Sequence, residues 1–109
     1  MEPIHSLEEF GETVDKNLAV LAYFSTPTCS VCAVLKPKVD QMISDFFPRM
    51  KTLYISSDEL PELAAQNRVF TAPTILVFFQ GMETIRKSRA FGISELKAEI
   101  QRPYSVLFE

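Results

Sequence analysis

The sequence has few of the residues that build metal centres or disulfide networks. Among its 109 residues are two cysteines and a single histidine, His5. A structural zinc site needs four ligands, so one chain supplies too few, and two chains would have to share the ion. Both cysteines belong to one motif, Cys29-Ser30-Val31-Cys32, which is typical of a reducing compartment. We therefore expect no bound metal and a cytoplasmic location.

Long apolar runs and blocks of one charge are also missing. The longest apolar runs, residues 18–24 and 75–79, are far shorter than the ~20 residues of a membrane-spanning helix. The net charge is −3, and no basic stripe is present to bind nucleic acid or an anionic membrane. No signal peptide is recognisable, although a chain from which an export signal had been removed would look the same. The composition predicts one globular domain over residues 1–109.

Apolar periodicity predicts helices and strands in the order α, β, α, β, α, β, β, α. The predicted helices cover about 7–16, 29–47, 59–67 and a last segment that Ser94 caps and Pro103 stops; the predicted strands cover 18–24, 51–56, 73–79 and 82–90. A strand–helix–strand unit followed by a hairpin implies a parallel pair joined by a crossover, plus an antiparallel pair. The expected fold class is α/β, a four-stranded mixed sheet with helices on both faces.

Several local signals support these boundaries. Ser6 and Glu9 form a capping box for the first helix, and Asp58 is a good cap for the third. Pro37 falls inside the second helix, where we expect a kink. Gln80-Gly81 predicts a tight turn. The buried stripe of the second helix is expected to be Val34, Leu35, Val39, Met42, Ile43 and Phe46.

The cysteine motif stands where the sequence predicts the start of a long helix. A buried strand ends, the chain turns at Pro27, and Cys29 follows. The unsatisfied N–H groups of a helix N-terminus carry partial positive charge, which favours a thiolate. Because the thiolate is the attacking species in disulfide exchange, Cys29 is predicted to be a reactive thiol. Cys32, one turn along, is placed to close a disulfide with it.

On these motifs the chain resembles thioredoxin and its relatives, from about residue 18 to residue 100. The resemblance rests on Cys29-Ser30-Val31-Cys32 after a buried strand, Pro37 in the next helix, Thr71-Ala72-Pro73-Thr74 before a strand, and Gly81 in the hairpin. It implies the thioredoxin fold, with a cis peptide bond before Pro73 that places this proline against the cysteine pair.

The resemblance also implies a thiol–disulfide oxidoreductase. Cys29 would attack a protein disulfide, and Cys32 would resolve the mixed disulfide. The redox-active disulfide would be the only cofactor, and a dithiol reductant such as a thioredoxin reductase would restore it. We expect a monomer. Substrate would lie across Thr71-Ala72-Pro73 in an extended conformation, with contacts from Pro27, Thr28, Val31 and Phe70.

Six positions depart from the pattern of thioredoxin itself. Thr28 replaces a tryptophan, Ser30-Val31 replace Gly-Pro, Ala33 replaces a lysine, Tyr23 replaces a buried aspartate, and Arg89 replaces a glycine. A tyrosine phenol titrates near ~10, so Tyr23 cannot act as a base near neutral pH. Resolution is therefore expected to be slow. Three alternatives stay open: a metal ion shared by two chains, a redox-gated binding module with little turnover, and cysteines that are inert core residues.

Overall fold

The computed structural model describes the whole chain, residues 1–109, as four helices and five strands. The helices are α1 (Leu7–Lys16), α2 (Ser30–Phe46), α3 (Pro61–Gln66) and α4 (Ile93–Phe108), and the strands are β1 (Glu2–Pro3), β2 (Ala19–Ser25), β3 (Lys51–Ser56), β4 (Thr74–Phe79) and β5 (Met82–Ser88). None of the helices has the length and apolar character needed to span a membrane.

The five strands form one mixed sheet in the order β1-β3-β2-β4-β5. β2 pairs with β3 in parallel and with β4 antiparallel, and β4 and β5 form the predicted hairpin. The expected count of four strands was wrong by one, because Glu2 and Pro3 add a parallel edge strand opposite Leu53 and Tyr54. Two residues are too few to show the alternation that identifies a strand in a sequence.

The sheet separates two apolar cores, and β2 contributes to both. Val20, Ala22 and Phe24 face the core beneath α1 and α3. Their neighbours Leu21 and Tyr23 face the core beneath α2 and α4. Successive side chains of a strand point to opposite faces. The apolar run without alternation therefore reflects a central strand that is covered on both sides, as predicted.

The local signals for α1 and for the hairpin hold in the structure. The Glu9 backbone N–H donates to Ser6 Oγ at 3.1 Å, and the Glu9 carboxylate accepts from the His5 N–H at 2.6 Å. Between β4 and β5, Gln80 and Gly81 both have positive φ, at 55° and 79°. Two left-handed residues in sequence are what a two-residue hairpin turn requires.

The other helix boundaries differ from the predictions. Asp58 does not cap α3, because the Leu60 N–H bonds the Ser56 carbonyl and this turn delays the helix start to Pro61. Ser94 does not cap α4 either. The Leu96 N–H bonds the Gly92 carbonyl, so Gly92 is the cap.

Pro103 does not stop α4, which continues to Phe108. Tyr104 packs against Phe47 at 4.9 Å and against Phe108 at 4.6 Å between ring centroids. The side-chain packing of this last segment on the core holds it in helical form despite the proline.

The predicted buried stripe of α2 is only partly buried. Val39, Met42 and Ile43 lie in the core, but Val34 and Phe46 are 61% and 51% exposed. Val34 lines an open groove instead. Helical periodicity identifies a face of a helix, whereas the neighbouring elements decide how much of that face is covered.

Candidate active site

The end of β2 brings the cysteine motif to the surface. After Ser25 the chain leaves the sheet, and the Cys29 N–H donates to the Thr26 carbonyl at 3.2 Å, which closes a turn. Cys29 is then the cap of α2, with extended backbone angles. Cys32 lies in the first turn of the same helix. The order of strand, turn and helix therefore fixes the position of both sulfur atoms.

Cys29 and Cys32 form a disulfide, with their Cα atoms 5.3 Å apart. The two residues differ in access, since Cys32 is 2% exposed and Cys29 is half-buried. The Cys32 backbone N–H donates to Cys29 Sγ at 3.1 Å. Such an N–H, together with the positive end of the helix dipole, favours negative charge on the capping sulfur. Cys29 thus has both the access and the local field of a nucleophilic thiolate.

Tyr23 lies directly beneath the motif. Its hydroxyl donates to the Cys32 carbonyl at 2.7 Å, and its ring stacks on Tyr54 with centroids 6.3 Å apart. Burial raises the pKa of Tyr23 to about 12, because a buried phenolate loses its hydration, and the neighbouring Tyr54 adds to the shift. Tyr23 therefore stays a neutral hydrogen-bond donor at the site.

The loop before β4 closes the site from the other side. The Ala72–Pro73 peptide bond is cis, and Pro73 is buried. The Pro73 carbonyl accepts the Arg89 N–H at 3.0 Å, which joins this loop to the end of β5. A groove of about 420 Å³ results, and its lining residues are Thr28, Cys29, Ser30, Val31, Ala72, Pro73, Arg89 and Ala90.

The structure brings some of the predicted substrate-contact residues together and separates others. Thr28, Val31, Ala72 and Pro73 share the groove with Cys29. Phe70 and Thr71 line a second cavity of about 310 Å³, to which Ala72 also contributes. Phe70 is 81% exposed there, so ordinary core packing does not explain it. Pro27 is exposed and lines neither cavity.

Sequence reasoning missed Arg89 as a residue of this groove. Arg89 follows β5 and has a φ of 63°, in the left-handed region that glycine adopts freely. A side chain other than glycine costs roughly 1–2 kcal/mol in that conformation. The departure from the expected glycine was the available signal, since it places an arginine among the residues that line the groove of Cys29.

Comparisons with known proteins agree with this geometry. The thioredoxin family model matches residues 3–102. The thioredoxin-like protein YdfQ of Bacillus subtilis is 31% identical over 104 residues, which cover 95% of this chain and 92% of YdfQ. Among solved structures, thioredoxin 1 of Thermosipho africanus is 31% identical with a TM-score of 0.74, covering 83% of this chain and 99% of that one.

A solved structure of lower identity, that of Plasmodium falciparum thioredoxin, is 22% identical and matches with a TM-score of 0.84. The match covers 94% of this chain and 98% of that chain, which supports the fold. The family match spans nearly the whole chain and includes the capping cysteine, its partner in the first helical turn and the loop that closes the groove. With its Cys29–Cys32 disulfide at this site, the chain belongs to the thioredoxin family of thiol–disulfide oxidoreductases.

Proposed function

We propose that this protein reduces disulfide bonds in other proteins, with Cys29 as the attacking thiolate and Cys32 as the resolving thiol. One observation carries the assignment of roles. The Cys29 sulfur is half-buried at the start of α2 and accepts the Cys32 N–H, whereas Cys32 is buried. Only the first sulfur combines access to a substrate with a local field that favours the thiolate.

The reaction balances as two exchanges. The Cys29 thiolate attacks one sulfur of the substrate disulfide, that bond breaks, and one substrate thiolate leaves. The Cys32 thiol then loses its proton and attacks Cys29 Sγ, which breaks the mixed disulfide and releases the second substrate thiolate. The substrate gains two electrons, and the protein ends with the Cys29–Cys32 disulfide. A dithiol reductant such as a thioredoxin reductase restores the two thiols, and no other cofactor takes part.

Tyr23, which lies beneath the motif, does not take the proton of Cys32. Its hydroxyl donates to the Cys32 carbonyl, and burial raises the pKa of Tyr23 to about 12. A neutral phenol donates hydrogen bonds and does not accept a proton at neutral pH. Water or the departing substrate thiolate takes the proton, so resolution is slower than attack.

The substrate lies against the loop before β4. An extended peptide pairs with the backbone of Thr71-Ala72-Pro73, as a strand adds to a sheet edge. Ala72 lines both cavities, so this peptide runs from the cysteine groove towards Phe70. Phe70 and Val31, which are 81% and 57% exposed, supply apolar contacts. The protein acts as a monomer in the cytoplasm.

Reduction of insulin tests the roles of the two cysteines. The wild type reduces insulin with dithiothreitol as the reductant. The rate of insulin reduction above the uncatalysed background should fall at least about 10³-fold in Cys29→Ser, because the attacking thiolate is absent. Cys32→Ser, reduced beforehand and mixed with insulin after the dithiothreitol is removed, attacks once and stalls as a mixed disulfide, which mass spectrometry detects as a covalent adduct. A wild type no faster than Cys29→Ser would refute the proposal.

A second candidate function is a redox-gated binding module with little turnover. The replacement of the expected buried aspartate by Tyr23, a hydrogen-bond donor, and the 81% exposure of Phe70 favour it. The two functions differ in what limits them. Slow turnover with a thioredoxin reductase, combined with tight binding of one partner in a single redox state, would establish the module, whereas turnover with many substrates would exclude it.

A further inference from the structure

Most basic side chains of this protein are already engaged with a partner. Lys16, Lys51, Arg86 and Lys87 form ion pairs with glutamates. Lys36, Arg49 and Lys97 lie over aromatic rings. Of the eleven lysines and arginines in the sequence, four have neither kind of partner, and they are Lys38, Arg68, Arg89 and Arg102.

Two of these four cations flank the cysteine motif. Arg89 lines the groove that contains Cys29 and Pro73. Lys38 lines a neighbouring groove of about 380 Å³, which Val31 shares with the first. No aspartate or glutamate lines either groove. Lys38 also lines a third groove, which contains Asp45, so Arg89 is the member of this pair whose groove has no acidic lining residue.

Arg68 provides a comparison with Arg89, because it is an arginine of similar exposure and backbone conformation that lies away from the cysteine groove. It is also exposed and also left-handed, with φ at 56° against 63° for Arg89. Its cavity contains Glu83 and shares no residue with the groove of Cys29. The unopposed positive charge therefore distinguishes Arg89 from an arginine of the same backbone conformation and exposure.

The backbone at Arg89 adds a second observation. A left-handed φ disfavours every side chain with a Cβ, and glycine would relieve the strain. Strained conformations concentrate at functional sites, and an observed outlier there supports a functional hypothesis. Arg68 and Gln80 have a similar φ away from this groove, so the conformation supports a role for Arg89 only together with its position beside Cys29.

We propose that Arg89, supported by Lys38, binds carboxylates that flank the disulfide of the substrate. The protein would then prefer disulfides whose half-cystines have aspartate or glutamate as neighbours. An arginine guanidinium binds a carboxylate with two parallel hydrogen bonds, and no resident anion competes for it in this groove. The inference rests on the proposed reduction of protein disulfides and specifies which of them react fastest. Arg89 acts here as a specificity-determining residue.

Single-turnover kinetics with three peptides test the preference. Each probe is a disulfide-linked peptide dimer of identical sequence in which the residues beside cysteine are Glu, Gln or Lys. Pre-reduced protein is mixed with each probe, and every rate is divided by the rate with dithiothreitol, which corrects for the intrinsic reactivity of the peptide. The normalised rate for the Glu probe is expected to exceed that for the Lys probe about 10-fold at low ionic strength. The ratio falls several-fold in 0.5 M salt, because screening weakens exposed charge pairs.

Variants of the two left-handed arginines locate the effect. Arg89→Gln reduces the Glu-to-Lys rate ratio about 5-fold, and Arg89→Lys retains most of the ratio because it retains the charge. Lys38→Gln gives a smaller reduction. Arg68→Gln makes the same change in net charge at the same backbone conformation, and it leaves the ratio unchanged.

The outcomes separate this inference from the proposed function. Equal normalised rates for the three probes with the wild type would overturn the carboxylate subsite and leave disulfide reduction intact. A wild type that reduces none of the probes, the neutral one included, would overturn the reduction itself. A loss of preference in Arg68→Gln as large as in Arg89→Gln would assign the effect to net charge, and the subsite would again be overturned.

Discussion

The two cores on either side of the sheet differ in chemistry. On the side of α1 and α3, the core is built from hydrocarbon side chains, and the Phe10 ring lies 6.3 Å from Phe24 and 5.9 Å from Phe78. On the side of α2 and α4, the core also contains Cys32 and the hydroxyl groups of Tyr23 and Tyr104. The Tyr23 hydroxyl donates to the Cys32 carbonyl, and the Tyr104 hydroxyl accepts the Arg49 N–H at 3.0 Å.

Because of this difference in chemistry, we expect the core beneath α1 and α3 to contribute to stability alone, and the core beneath α2 and α4 to contribute to both stability and activity. The core beneath α1 and α3 should be able to lose a side chain with little change at the cysteines, because both cysteines pack in the other core. On the other side, the same buried groups pack the core and hold the backbone of the catalytic turn. Strand β2 supplies neighbouring residues, Tyr23 and Phe24, to the two sides. Substitutions on each side should therefore have separable effects.

Phe10→Ala gives the largest expected effect on stability. The ring is nearly fully buried between two other phenylalanines, so its removal leaves a cavity as well as losing apolar burial. We expect the free energy of unfolding to fall by about 3 kcal/mol. The rate of insulin reduction per folded molecule should stay within about 2-fold of the wild type, since no polar contact is lost. Urea denaturation and activity assays on the same samples measure both quantities.

Phe46→Ala provides the matched control for this comparison. It deletes the same ring from an exposed position on α2, where Phe46 is 51% exposed and Lys97 lies over it at 3.5 Å. The expected loss is about 1 kcal/mol or less. If Phe10→Ala slowed the chemistry as much as it destabilised the fold, the two cores would not act separately.

Tyr23→Phe tests the polar side of the comparison. At neutral pH the loss of the hydrogen bond to the Cys32 carbonyl should cost about 1 kcal/mol. At alkaline pH the wild type should no longer have a higher free energy of unfolding than Tyr23→Phe. Burial raises the pKa of Tyr23 to about 12, so its contribution is fully present below the unfolded pKa near ~10 and is lost as the pH rises through 10 towards 12.

Each pKa unit corresponds to about 1.4 kcal/mol, so the two stability curves should meet near pH ~11. Urea denaturation of the oxidised proteins at pH 8, 10 and 11 measures this, because disulfide-bonded cysteines do not titrate. Parallel curves for the two proteins would mean that the Tyr23 phenol ionises in the folded state as it does in the unfolded chain. Burial of Tyr23 in the core beneath α2 and α4 would then not explain how the free energy of unfolding depends on pH.

The sequence was sufficient for the parts of the fold that local patterns decide. Residues 18–24 could be assigned to a central strand because an apolar run without alternation needs cover on both faces. The ends of helices were less predictable. Pro103 appeared to be a stop signal, but the packing of Tyr104 on Phe47 and Phe108 outweighs the lost hydrogen bond. Edge strand β1 has two residues and leaves no pattern to detect.

At the site, the sequence was sufficient for the motif and insufficient for its surroundings. The order of strand, turn and helix placed Cys29 at a helix start, as the structure has it. The groove also depends on Arg89, 60 residues further along the chain, and on the contact of Tyr23 with Cys32. Such contacts follow from how the strands pair, which side-chain patterns do not specify residue by residue. Tyr23 and Arg89 could be identified from the sequence as departures from the family pattern, but the residues that they contact could not.

Arg68 and Arg89, which both have left-handed backbone angles, can be compared in the same way. Arg68 ends α3, where the Val69 N–H bonds the Ala64 carbonyl and the Arg68 N–H bonds the Ala65 carbonyl. This Schellman arrangement places a left-handed residue just beyond the helix, a position where glycine is the usual residue. Arg89 has a similar φ at the groove. Both residues carry backbone strain, but only Arg89 lines the groove of Cys29.

Arg68→Gly therefore gives the smallest expected effect, and the effect is a gain. Relief of the left-handed strain should outweigh the greater freedom of glycine in the unfolded chain, and the free energy of unfolding should rise by about 0.5 kcal/mol. Arg68→Ala removes the same side chain and keeps the Cβ, so it should give no gain. Arg89→Gly should stabilise by a similar amount and lose the preference for acidic probes, which Arg68→Gly should retain. Equal stability of Arg68→Gly and Arg68→Ala in urea denaturation would contradict the role of strain at these positions.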